Sequence, residues 1–146
     1  GSPPIIEVTL EIFPYNFDDL MKLSPEEFGK AMKELLKYVG YRDIKYRDRP
    51  GDEGVDIECY DENGGKVVVQ CKRWKNPIGL EVIDRLVGTI VREKAKKGIL
   101  ITTSKLTKQA RMAVLEFNRR FEENGGGKKI EIYDSIELRR ILRQLK

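Results

Sequence analysis

The sequence predicts an α/β domain: a mixed central sheet flanked by helices, in the order α-β-β-β-α-β-α-β-α, with an extra N-terminal strand. Three observations predict it. Two alternating runs, GVDIECY (54–60) and KVVVQCK (66–72), flank Asp61-Glu62-Asn63-Gly64-Gly65, and Asn-Gly between such runs is a strong hairpin signal. The apolar run ILITT (99–103) sits between two stretches of helical periodicity, as a buried strand reached by β-α-β crossovers does. Glycine or proline punctuates the ends of several elements.

The elements follow in order. IIEVTLEIF (5–13) alternates as a strand until Pro14, and serves as an extra strand or a dimer contact. Ser24-Pro25-Glu26-Glu27 starts a helix, with Ser at the N-cap, Pro at the first helical position and Glu at N3. Phe28, Met32, Leu35, Leu36 and Val39 recur at helical spacing until Gly40. Residues 41–46 form a short strand, RDRPGDEG (47–54) a loop, and the hairpin comes next. Val82, Ile83, Leu86, Val87, Ile90 and Val91 make one stripe of a helix over 80–97, with Gly98 behind it. After the strand at 99–103, a helix from about Thr107 to Glu123 turns Ala110, Ala113, Val114 and Phe117 inward, and Gly125–Gly127 break it. A strand at 129–133 and a helix capped by Ser135, running to about Leu145, complete the chain. Residues 1–22 are thus an N-terminal extension and 23–146 the main domain; Gly1-Ser2 reads as a cloning remnant.

With 146 residues, 40% hydrophobic and 36% charged, the chain suits one globular domain with a real core. No apolar run approaches the ~20 residues of a membrane span and no secretory signal pattern opens the chain, so a cytoplasmic protein without a membrane partner is expected. The net charge of +4 is unevenly spread. Residues 1–65 hold 8 basic and 15 acidic side chains, and residues 66–146 hold 20 and 9. A basic half of this size suits either a polyanionic partner, whose condensed counterions it would release, or a solvated, charge-rich surface. With no histidine, two cysteines and no CxxC, a structural zinc site, a Ser-His-Asp triad and a histidine base are all disfavoured. Chemistry is left to carboxylates, amides, lysines and a hard metal. Sparse Asn and Gln beside abundant Lys, Arg and Glu also fit a thermophilic source.

The hairpin concentrates those groups. Strand alternation puts Val55, Ile57 and Cys59 on one face with Val67, Val69 and Cys71, all apolar and so facing a core. Asp56, Glu58, Gln70 and Lys72 then face the other way on neighbouring strands. A carboxylate, an amide oxygen and an ammonium converge, with the Cys71 carbonyl between the last two. Mg²⁺ is a hard cation that keeps most of its waters and needs few protein ligands, so Asp56, Gln70 and the Cys71 backbone carbonyl suit it, with Mn²⁺ able to substitute. Such a metal acidifies water and offsets phosphate charge, and Lys72 can orient the water or stabilise the oxyanion. An exposed sheet face of ordinary polar residues explains the spacing equally well.

The stretches SPEEF (24–28), GDEGVDI (51–57), VVVQCKRW (67–74), GILITTSKLTKQA (98–110) and IEIYDSIELRRIL (130–142) follow one another as in the Mrr-like restriction endonuclease domain, which the chain resembles over roughly residues 23–145. That family belongs to the PD-(D/E)xK nuclease superfamily, in the branch with Gln in the acidic position. The resemblance implies a restriction-endonuclease-like fold and a Mg²⁺-dependent endonuclease acting on double-stranded DNA, in defence against foreign or modified DNA. It implies metal binding by Asp56 and Gln70 and a catalytic role for Lys72. One position departs from the pattern: the family usually has Glu after the helix Phe, and here that position is Gly29. Glu26, on the same helix face, or Glu58 replaces it, or the site tolerates its loss, or activity falls. Glu27 is the capping-box partner of Ser24.

Beside this site, Arg73 and Lys75 are expected to contact DNA, with Trp74 packing at the sheet edge. Thr103, Ser104, Lys105, Lys108 and Arg111 gather at a strand–helix junction suited to phosphate, although Ser104 or Thr107 would also serve as a helix cap. Cys59 and Cys71 are expected as small buried hydrophobes, a cross-strand disulfide being the alternative. A Holliday-junction resolvase-like nuclease and a catalytically weak DNA-binding module of the same fold are the two rival functions. A homodimer is compatible with each.

Overall fold

The computed structural model describes residues 13–47, 56–123, 125 and 127–145. Five strands, β1 (Arg42–Tyr46), β2 (Ile57–Tyr60), β3 (Lys66–Lys72), β4 (Lys97–Thr102) and β5 (Lys129–Tyr133), lie side by side in chain order. β1, β2 and β3 pair antiparallel, whereas β3, β4 and β5 run parallel. Helices α2 (Pro25–Val39) and α3 (Leu80–Arg92), then α4 (Lys108–Glu123) and α5 (Ser135–Gln144), cover the two faces as the sequence predicts. The strand expected at 5–13 lies outside the described residues, apart from Phe13.

The hairpin register follows the pattern of its side chains: Ile57 sits opposite Val69 and Cys59 opposite Val67. These four are fully buried on one face, packed against Phe28, Met32, Leu35 and Leu36 of α2 and Leu138 of α5. On the other face Val68 and Leu100 meet Ile83, Leu86 and Ile90 of α3 and Ala110 and Phe117 of α4. β3 and β4 are therefore apolar on both sides, as parallel strands between helix layers must be. Burying each large side chain contributes roughly 1.5–3 kcal/mol, so the two layers hold the strand ends firmly. Among the described residues no helix is long and apolar enough to cross a membrane.

Four details differ from the sequence reading. A short helix, α1 (Phe17–Met21), precedes α2; Asn16 caps it reciprocally with Asp19, and Leu20 is fully buried in the core. The Asn-x-x-Asp spacing carries that signal, but five residues are too few for a periodic stripe to reveal a helix. α3 stops at Arg92 rather than near residue 97, through a turn in which Lys94 takes a φ of 55°. Gly98 lies within β4, where an added Cβ would come 2.5 Å from Ile90 Cδ1; close helix–sheet packing accounts for this glycine, not a helix stop. The N-cap of α5 is Asp134, whose Oδ1 accepts the Glu137 N–H at 3.0 Å, and Ser135 is the first helical residue. The edge strand β5 is partly closed by α4: the Asn118 amide donates to the Ile130 carbonyl at 3.0 Å and accepts its N–H at 2.7 Å.

Candidate active site

β3 and β4 run parallel, so their carboxyl ends, Lys72 and Thr102, lie together at one border of the sheet. The antiparallel β2 starts at that same border, which brings Asp56 there. Crevices outside the carboxyl ends of parallel strands are where α/β sheets hold ligands. Asp56 is fixed from both sides. Its N–H donates to the Val69 carbonyl at 2.8 Å and its carbonyl accepts the Arg47 N–H at 2.7 Å.

The side chain completes the ladder beyond β2. Asp56 Oδ2 accepts the Cys71 N–H at 2.8 Å and Gln70 Nε2 at 3.1 Å. The Cys71 carbonyl leaves β3 on the side of its own N–H, towards Asp56. Burial pushes the Asp56 carboxyl above the ordinary aspartate value, against the Cys71 N–H and the Lys72 charge, which pull it down. Gln70 is buried, while Lys72 is half-buried, with Nζ 5.0 Å from the centre of the Trp74 ring. The Asp56 carboxylate and the Cys71 main-chain carbonyl are oxygen donors of the kind a hard divalent cation takes, whereas Gln70 presents its Nε2 to Asp56. No group of three or more acidic or cysteine side chains converges among the described residues.

The family follows from a wider match. The Mrr_cat family model, described as restriction endonuclease, matches residues 20–142, which include all of this site. The chain belongs to the Mrr restriction endonuclease family. The type IV methyl-directed restriction enzyme EcoKMrr of Escherichia coli is 36% identical over 100 residues, covering 64% of this chain and 33% of the relative. The chain therefore spans about a third of that enzyme's length. The DNA modification-dependent restriction endonuclease AspBHI aligns with a TM-score of 0.62 at 17% identity, over 99% of this chain and 40% of its own. The Type ISP restriction-modification enzyme LlaBIII, solved bound to DNA, gives 0.57 at 22% identity, over 86% of this chain and 8% of its own. At these identities the two structures speak for the fold.

Within the Mrr family pattern, the missing helix glutamate has a local cause. Gly29 is buried under the ring of Tyr46, and an added Cβ would lie 2.6 Å from Tyr46 Cε2. Neither expected replacement is joined to Asp56. Glu26 pairs with Lys30 at 3.1 Å on the exposed side of α2. Glu58 shares the Asp56 face but is held by Arg47 and Lys66, each at 3.1 Å, in a ring closed by Glu93. Burial alone would raise the Glu58 carboxyl, and those two cations outweigh it and hold it below the usual range. Glu27 caps Ser24 reciprocally, as expected.

The remaining site candidates divide. Lys75, Lys105, Lys108 and Arg111 are exposed, the last three around the β4–α4 junction at the same border as Lys72. Arg73 alternates to the opposite face, where Nη1 donates to the Met21 carbonyl at 3.3 Å. Thr103 and Ser104 are buried, and their hydroxyls donate to the carbonyls of Trp74 at 2.9 Å and Lys75 at 3.2 Å. Thr107 caps α4, accepting the Ala110 N–H at 3.1 Å. Both cysteines are free: Cys59 is buried opposite Val67, and Cys71 is half-buried four residues further along β3 on the same face, too far along the strand to pair with it.

Proposed function

We propose that this chain is the catalytic domain of a divalent-metal-dependent endonuclease that hydrolyses phosphodiester bonds of double-stranded DNA in restriction of foreign or modified DNA. The observation that carries the reading is the contact of Asp56 Oδ2 with Gln70 Nε2 and the Cys71 N–H at one sheet border, within reach of the Lys72 charge, on a member of the Mrr family. Asp56 and the Cys71 carbonyl would hold Mg²⁺ or Mn²⁺, and Gln70 would join them with its amide oxygen turned towards the site. Bound there, the metal supplies an acidified water and positive charge opposite the phosphate. Lys72 orients the attacking water and faces the charge that grows on phosphorus oxygens. Lys75, Lys105, Lys108 and Arg111 hold the DNA backbone on either side.

A second reading, a catalytically weak DNA-binding module, is favoured by Gly29, which leaves the metal one carboxylate short. The deciding experiment incubates the protein with plasmid, methylated plasmid and a synthetic four-way junction in Mg²⁺ and in Mn²⁺. Metal-dependent cutting of plasmid, enhanced by methylation, supports the restriction reading. Cutting confined to the junction favours a resolvase-like activity, and binding without cutting favours the weak module.

A further inference from the structure

We propose that Trp74 is the positioning residue of Lys72, holding the ammonium over its indole face, beside the Asp56 carboxylate but not paired with it. The inference rests on the nuclease reading above. Lys72 and Trp74 lie two residues apart in an extended segment and share its face. Lys72 Nζ stands 5.0 Å from the indole centre, within the range of cation–π attraction. Among the described residues no carboxylate forms an ion pair with Lys72.

The platform is anchored. Beyond β3, the chain is sewn to the segment after β4: the Thr103 N–H donates to the Lys72 carbonyl at 3.3 Å and the Ile78 N–H to the Lys105 carbonyl at 2.8 Å. The buried hydroxyls of Thr103 and Ser104 take the carbonyls of Trp74 and Lys75. The main chain under the indole is thereby fixed from β4, and Trp74 remains 36% exposed on its outer side. That arrangement answers a conflict built into the site. An ammonium paired with Asp56 would neutralise the carboxylate that the described residues bring to the site, whereas a free lysine stem would range over many rotamers. An aromatic face attracts the ammonium without consuming a carboxylate and leaves its N–H donors for a phosphate.

Two measurements test this. In the metal-free, DNA-free protein, the Lys72 side-chain methylene protons should show an upfield ring-current displacement by NMR. That displacement should vanish in Trp74→Leu and persist in part in Trp74→Phe. In single-turnover cleavage of plasmid with Mn²⁺, Trp74→Leu should lower the maximal rate about tenfold at little-changed half-saturation, while Trp74→Phe loses less than about threefold. Absence of the displacement in the unaltered protein overturns the proposal. So does an equal loss in the Leu and Phe variants, or a loss confined to half-saturation, which marks Trp74 as a DNA contact. Failure of the unaltered protein to cut DNA at all sinks the nuclease reading and with it the purpose assigned to Trp74, and the NMR displacement then shows separately whether the lysine is held.

Discussion

The Cys71 N–H donates to Asp56 Oδ2 at 2.8 Å, so the main chain of β3 holds the carboxylate directly. The site is thereby tied into the hairpin's own hydrogen bonding.

That relationship separates folding from chemistry. Asp56→Asn keeps an oxygen for the Cys71 N–H, whereas Asp56→Ala leaves two donors unanswered. Thermal denaturation should show Asp56→Ala less stable by about 1–3 kcal/mol and Asp56→Asn close to the unaltered protein. Calorimetric Mn²⁺ titration should show both variants binding metal more weakly, because each has lost the anionic oxygen.

The ring of Arg47, Glu58, Lys66 and Glu93 ties three strands to the end of α3. Arg47 donates to both Glu93 oxygens, at 2.8 and 2.9 Å. Those hydrogen bonds hold the Glu93 carboxyl down at about 2. A carboxyl lowered in the folded state adds stability above its unfolded value, near 4.5, and loses it as pH falls towards 2. Urea melts of the unaltered protein should therefore weaken steeply over that interval, and Glu93→Gln should flatten part of the slope. Near neutral pH, Arg47→Met should cost about 1–3 kcal/mol, as it leaves acceptors without a donor.

Gly29 and Tyr46 form a packing pair. Gly29→Ala should destabilise by about 1–3 kcal/mol, since the new methyl overlaps the Tyr46 ring. In a Tyr46→Ala background the same substitution should cost clearly less, and a double-mutant cycle measures the difference. Equal costs in the two backgrounds would show that the ring is not what excludes a side chain there.

The cysteines should be inert. Burial pushes the Cys59 thiol up to about 12 and holds the Cys71 thiol well above its usual value. Alkylation at pH 8 should leave both unmodified in the folded protein and modify both in denaturant. Fast modification of Cys71 at pH 8 would contradict the raised thiol.

Much of this was legible in the residues, for identifiable reasons. The hairpin could be read because period-two alternation and Asn-Gly agree on one register, and that register brought Asp56 and Gln70 into contact. α2 could be read because cap, first-turn proline and stripe all coincide. What was hidden depended on tertiary partners. Gly98 resembles a helix stop until Ile90 is seen against it. Thr103 and Ser104 resemble a phosphate cradle until the Trp74 and Lys75 carbonyls are found on their hydroxyls. Arg73 belongs to the opposite face from Lys72 by the same alternation that placed Asp56, a consequence the basic-aromatic-basic run obscured.

The proposed function puts Asp56 and Lys72 in one metal-dependent cleavage centre. Its most direct test is single-turnover cleavage of plasmid in Mn²⁺ by the unaltered protein, Asp56→Ala and Lys72→Ala, each checked for folding by circular dichroism. Both variants should lose at least about two orders of magnitude in rate, with the unaltered protein silent in excess chelator. Undiminished cutting by either folded variant, or by the unaltered protein without metal, would contradict the account.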